Sequence, residues 1–446
     1  MSAKIEKLLR DARIKVLVAK AEEDPSIIDE IIKNLSSDSR SVRFNAIIAL
    51  GKLGDKSRSS IDELIECLND DDWSICRETA RSLGNIGNAA EKAIPKLIDY
   101  INDKEVSIRK AVVQALGKIG IGKYDSIKHL IKALNDKSIE IRIEAANSLG
   151  KIGTEAYDAI PELMKVLKDV NWKVRASAAE AISEIGKESI KAVPNLINAL
   201  GDDDWRVRHK VMDTLVEIGE PAVPALLYAL DHRNSVVRKT AVETLGDLGI
   251  ANPEILEKLS FLLEDKSEAV RGKTANALMN IGKPAIPILL EKFEDANKKL
   301  KIKILAAIGG MGVAAEDAIE DIAKYLKTSK KSVRAETART YGKIGIKSEN
   351  AVNELIKALK DSKNNVRREA ALALGNIGKN AKSAVPNLLD ALNDDNPDVR
   401  WRASEALGKI RVSNPEIIKN LEDLIHDKCD YVCESAINAL DNIKKK

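Results

Sequence analysis

The chain has 446 residues, of which 32% are charged and only 3% aromatic. A single globular core of that size draws more heavily on Phe, Tyr and Trp, whereas helices packed through Ala, Leu and Ile need few of them. With 72 basic and 69 acidic residues the net charge is +3, which excludes an overall field favouring nucleic acid or a membrane surface.

The opening stretch, "MSAKIEKLLRDARIKVLVAKAEED", has no apolar core followed by a small-residue cleavage site. It predicts an amphipathic capping helix over residues 1–24, with Ile5, Leu8, Leu9, Ala12 and Val16 on one face. No apolar run approaches the roughly 18 residues of a spanning helix. Four cysteines are too few for a disulfide framework. These features predict a cytoplasmic protein without a membrane segment.

From residue 25 to 446 the sequence repeats itself. A closing glycine recurs at Gly54, Gly87, Gly120, Gly153, Gly186, Gly219, Gly249, Gly282, Gly312, Gly345 and Gly378, and Arg411 and Lys444 continue the column. The step is 33 residues, except for two steps of 30, from 219 to 249 and from 282 to 312. Thirteen units fill the chain. Each predicts two helices. The first is short and carries a proline in its opening turn (Pro95, Pro161, Pro194, Pro224, Pro287, Pro386), where the missing N–H costs little. The second, as in "SIRKAVVQALGKIG", spaces Ile108, Val112, Val113, Leu116 and Ile119 as one helical face. An Asp or Asn before it can cap its free amides, and the closing Gly can take a left-handed C-terminal conformation. No useful stretch alternates with period two, so the fold class is all-α. The polar tail "DNIKKK" is expected to close the last unit.

Two charged columns run through the units. Eleven residues before each closing position stand Arg43, Cys76, Arg109, Arg142, Arg175, Arg208, Arg238, Arg271, Lys301, Arg334, Arg367, Arg400 and Cys433. Six residues earlier the column is acidic, with Ser37, His232 and Thr328 as its exceptions. Such recurrence predicts a structural ladder in which each Asp pairs with an Arg of its own or the next unit: Asp103, Arg109, Asp136, Arg142, Asp169, Arg175, Asp202 and Arg208 are its central members. Cys76 and Cys433 should interrupt it. Replacement of Arg by Lys301 and of Asp by Thr328 points to residues 283–330 as the weakest internal segment.

Proline in the first helix, Asp in the turn, "VR" opening the second helix and "A-L-G-x-I-G" closing it resemble the short HEAT-like repeats named for phycobilin lyase subunits. That resemblance implies a right-handed α-solenoid of about thirteen two-helix repeats, with the second helices lining the concave side. HEAT-like deoxyhypusine hydroxylases bind iron through His-Glu pairs. Here His129, His209, His232 and His426 are never followed by Glu, so neither that activity nor a cofactor is expected. Cys67 with Cys76, and Cys429 with Cys433, are two distant pairs. A closed zinc site takes about four ligands, so no metal is expected. No catalytic set can be assembled.

On the second helix, positions 3, 4, 6, 7 and 10 after the Arg column form the expected core, which leaves positions 2, 5 and 9 as the concave stripe. Positions 5 and 9 are both acidic in three consecutive units only: Glu180 and Glu184, Asp213 and Glu217, Glu243 and Asp247. HEAT-like alkylpurine DNA glycosylases use a basic concave face, and six carboxylates would interrupt a phosphate groove. Trp172 and Trp205 fall in the first two of these units, and an aromatic face suits Lys or Arg side chains. The expectation is a monomeric, non-enzymatic scaffold or adaptor that docks a protein or peptide with a basic segment there. Lys210 and Lys239 are expected to relieve part of the repulsion. The alternatives are a nucleic-acid-binding protein using the more basic flanks, and a bilin-lyase-like accessory factor acting on a modified protein. An unbroken register of thirteen units predicts an elongated particle. Small-angle scattering should give a radius of gyration well above the ~22 Å of a globular chain this long, and a value near 22 Å would overturn the reading.

Overall fold

The computed structural model describes residues 2–120, 123–345 and 349–444, and every regular element among them is a helix. None is long and apolar enough to cross a membrane. Lys445 and Lys446, the end of the expected closing tail, lie outside the described residues. The chain divides into two compact bodies, Met1–Ala229 and Leu230–Lys446. The division falls within the seventh repeat, between its first helix, Val223–Ala229, and its second, Ser235–Leu248.

The N-terminal segment is two helices, Ser2–Arg10 and Ile14–Glu23, where one was expected. Ala12 breaks it with a φ of 51°. The Ala12 amide donates to the Leu9 carbonyl and the Arg13 amide to the Leu8 carbonyl, which closes the first helix in a Schellman turn. The break rotates the second helix, so Ile5, Leu9, Ile14, Leu17 and Ala21 are buried while Ala12 and Val16 face solvent. Periodicity counted through Ala12 therefore placed Val16 on the wrong face.

Within a repeat the chain turns twice. Most closing glycines take φ between 57° and 85° with ψ near −140°, as Gly87 does (77°, −147°), a region open to residues without a Cβ. The expected left-handed conformation occurs at Gly249, Gly345 and Arg411, and Gly120 keeps a negative φ. A 3₁₀ segment such as Gly87–Ala93 follows, and then the short first helix, here Ile94–Asp99 with Pro95 in its opening turn. Caps at the second helices follow the expected chemistry where Asp or Asn is present: Asp72, Asn171, Asp204, Asn234 and Asn396 each accept from the amide two residues on.

Successive second helices come very close. A Cβ placed on Gly84 would lie 2.8 Å from the Ala115 Cα, and one on Gly375 would lie 2.9 Å from the Ala406 Cα. The first glycine of "A-L-G-x-I-G" thus admits the backbone of the following repeat. Most of the expected core positions are buried, Ile437 of the last repeat being an exposed exception, and position 2 is only partly a surface position. Ala111, Thr240, Glu336 and Glu369 are buried there.

The charged columns meet between repeats. Arg109 donates Nη1 to the Asp103 carbonyl of its own turn (2.8 Å), and its Nε and Nη2 grip the Asp136 carboxylate of the next (2.9 Å each). In the first body the same fork joins Arg43 to Asp70, Arg142 to Asp169 and Arg175 to Asp202. In the second it joins Arg238 to Asp265, Arg334 to Asp361, Arg367 to Asp394 and Arg400 to Asp427. Each of these aspartates sits at the same point of its turn and holds the amide two residues on, as Asp70 holds that of Asp72 and Asp136 that of Ser138. The partner is always in the following repeat.

Gaps in the ladder are more numerous than expected. Cys76 sends its thiol to the Asp70 carbonyl (3.0 Å) and leaves Asp103 without a guanidinium, and Cys433 likewise reaches the Asp427 carbonyl (3.1 Å). Among the described residues Arg208 reaches only the carbonyls of Asp202 and Asp203, and Arg271 those of Asp265 and Lys266. Lys301 donates to the Glu294 carbonyl. Arg238 and Asp265 have side chains 6% and 8% exposed, and removing one partner of such a buried pair costs about 3–5 kcal/mol. Asp265→Ala should therefore destabilise the chain by about that much in denaturant titrations. Asp103→Ala loses only a turn hydrogen bond to the Glu105 amide, about 1 kcal/mol. Equal losses would refute the ladder's role.

Candidate functional site

The acidic face is described body by body. In the first body, Trp172–Ile185 and Trp205–Ile218 are adjacent second helices. Glu180 and Glu184, one turn apart, share a face of the first, and Asp213 and Glu217 share the matching face of the second. Glu180 is half-buried and accepts from the Lys210 ammonium of the next helix at 2.8 Å. Glu184, Asp213 and Glu217 are exposed. His209 Nδ1 stands 3.9 Å from the Asp213 carboxylate, too far for a hydrogen bond. Although Glu184 is exposed as a residue, its carboxyl end lies against Gly150 of the preceding repeat, and this partial burial first, and then the charge of Glu180, push it above the usual range, against the pull of Lys151 and Lys210.

In the second body, Glu243 on Ser235–Leu248 is paired with Lys273 of the following repeat, and Asp247 is exposed. Lys210 relieves repulsion as expected, but Lys273 rather than Lys239 pairs with Glu243. The pairing has a rule that the sequence columns conceal. Position 5 of one repeat meets position 2 of the next, thirty residues on, in Glu180 with Lys210, Glu243 with Lys273 and Arg339 with Glu369. Counting charges down a single column misses it.

The tryptophans lie elsewhere on these helices. Trp172 and Trp205 are first residues, and Asp213 and Glu217 follow Trp205 by eight and twelve residues, about 12 and 18 Å along the axis. The aromatic rings thus occupy the turn edge, away from the carboxylates they were expected to border. Trp172 is already covered: the Arg206 guanidinium sits 3.4 Å from its ring centroid and is itself bound to Asp204. Trp401 is likewise covered by Arg402, whereas Trp73 has Arg77 at 5.1 Å from its ring centroid and stays half exposed. Trp205 is 64% exposed.

A cleft of about 600 Å³ in the first body lies between first helices and is lined by Ile32, Leu35, Arg43, Glu63, Cys67 and Asp70. Arg43 and Asp70 are engaged with each other there, and burial pushes the Cys67 thiol up to about 11, where it is inert at neutral pH. Among the described residues no group of His, Cys, Asp and Glu could hold a metal ion.

The sequence pattern of HEAT repeats matches the chain over residues 6–84, 61–124, 94–160, 127–191, 160–230, 223–292, 286–375 and 352–441. The chain belongs to the HEAT-repeat family. Among solved structures, importin beta in a polyethylene glycol condition is similar at a TM-score of 0.52 and 12% identity, over 99% of this chain and 74% of that one. A homology model of the full-length AP-3 complex in an intermediate open conformation gives 0.47 and 15%, over 98% and 94% of the two chains. An engineered protein gives 0.35 and 22%, over 94% and 99%. No curated relative matches the chain. The HEAT-repeat match and the importin beta likeness establish the α-solenoid fold.

Glu184 supplies a pH test. A carboxyl whose pKa is raised on folding adds stability below the usual carboxylate range and loses it as pH rises through the raised value. Glu184→Gln should therefore raise the melting temperature at neutral pH, and the gain should vanish below about pH 4. A gain that persists at pH 3 would assign the effect to packing.

Proposed function

We propose that the chain is a monomeric, cytoplasmic, non-enzymatic scaffold, and that the acidic face of its first body docks a protein partner through a basic segment. The HEAT-repeat solenoid is typical of protein-binding scaffolds. The observation that carries the reading is the charge left over after internal pairing. Lys210 neutralises Glu180, whereas Glu184, Asp213 and Glu217 stand exposed on two adjacent helices without, among the described residues, an ion-pair partner within hydrogen-bond reach. Like charges so arranged repel, and a cationic segment relieves that repulsion while gaining electrostatic steering. Trp205 offers an open aromatic face at the turn edge for a Lys or Arg of the same partner, whereas Trp172 has its own arginine in that place. In the second body, the pairing of Glu243 with Lys273 leaves less for a partner to neutralise.

Affinity capture on the intact chain, with and without nuclease, tests this reading. The triple variant Glu184→Gln/Asp213→Asn/Glu217→Gln should keep its helical signal, lose the captured protein about tenfold, and lose the salt dependence of capture. Equal capture by the variant overturns the proposal. Capture that nuclease abolishes would favour nucleic acid on the basic flanks, and visible absorbance of the purified chain would favour a phycobilin-lyase-like role in tetrapyrrole handling.

A further inference from the structure

Eight arginines share one pose in this protein. Each holds the carbonyls of its own turn with Nη1 and presents the Nε–Nη2 edge to an aspartate of the following repeat. Arg271 adopts the first half of that pose. Its Nη1 donates to the Asp265 carbonyl at 2.8 Å and the Lys266 carbonyl at 3.2 Å, the two distances at which Arg238 holds His232 and Arg233. The second half is missing. The first helix of the next repeat, Ile286–Asp295, runs through the place where the turn should begin, so Asp295 is the exposed last residue of a helix. Among the described residues, no carboxylate forms an ion pair with Arg271.

A second cation stands nearby. Lys303, on the following second helix Lys298–Gly310, is half-buried and has no ion pair among the described residues. Burial, and then the charge of Arg271, hold its ammonium below the usual range, with Glu268 opposing. The two positive charges repel in a partly desolvated place, and an anion held on the Arg271 edge would lower that repulsion. Most surface arginines lose side-chain freedom when they bind. Arg271 is already anchored, and its open edge has the bidentate geometry that suits a carboxylate. Eight internal examples show that edge filled by Asp.

We propose that Arg271, with Lys303 beside it, is a docking point for an aspartate or glutamate side chain from an acidic segment of a protein partner. This point lies in the second body, carries the opposite charge to the acidic face of the first, and does not depend on it. The partner's carboxylate takes the place that Asp265, Asp361, Asp394 and Asp427 take at the other rungs of this body.

The test uses the full chain and a fluorescein-labelled peptide of eight alternating Asp and Glu residues, followed by anisotropy at low salt. The wild-type chain should bind it. Arg271→Gln should weaken binding at least tenfold, Arg271→Lys by less, because it keeps the charge and loses the fork, and Lys303→Gln severalfold. Lys382→Gln, at an exposed lysine of the same body, should change nothing, and circular dichroism should be the same throughout. The Arg271 Nε–H resonance should shift on addition of the peptide. No binding by the wild-type chain, equal binding by Arg271→Gln, or peptide binding without a shift at Arg271 would each overturn the proposal. So would inorganic phosphate or a DNA duplex displacing the peptide at equal concentration, since the fork would then serve phosphate. The triple variant of the acidic face should bind this peptide as the wild-type chain does, which keeps the two proposals separately testable.

Discussion

One guanidinium, held on two sides, sets the spacing between repeats. Its inner nitrogen is fixed by the carbonyl that opens its own turn, and its outer edge chelates the aspartate of the next turn. That aspartate also holds the amide two residues on, so one rung fixes two turns and the distance between them. A buried ion pair of this kind adds little net stability over an apolar substitute. Its contribution is register, because a repeat displaced along its neighbour would strand two charges.

The rest of the packing follows from that register. Once adjacent turns are aligned, successive second helices meet face to face, and glycine at one position lets the backbones approach to contact. Residues five and two places beyond the ladder column then pair across the same seam, Glu180 with Lys210 and Arg339 with Glu369. The outward face is what these pairings leave unspent. A surface that looks uniformly acidic down one column is therefore partly neutralised, as at Glu180 and Glu243, and net charge survives where a neighbour offers no counter-ion.

The same logic explains why irregular repeats matter more than regular ones. Where the ladder closes, its charges are consumed inside the fold. Where a helix runs on to Asp295, or cysteine stands at position 76, one half of a rung remains without its complement. A cysteine leaves an aspartate in contact with water at little cost. An arginine already anchored in its own turn leaves a binding geometry with no internal ligand.

The sequence by itself determined the architecture. Thirteen copies of one pattern report the helices, the prolines at their starts, the glycines at their ends and the two charged columns, because each of these depends on local geometry that every copy must satisfy. It also isolated Glu180, Glu184, Asp213, Glu217, Glu243 and Asp247 as a departure from the average repeat. Tertiary structure decided which of those charges remain available. Lys273 reaches Glu243 and Arg206 covers Trp172 across a repeat boundary, and such contacts depend on distances between helices that no column of residues records. The break at Ala12 and the open fork of Arg271 have the same origin. Both arise where a helix starts or stops out of pattern, and a shift of a few residues there turns a side chain toward a different neighbour.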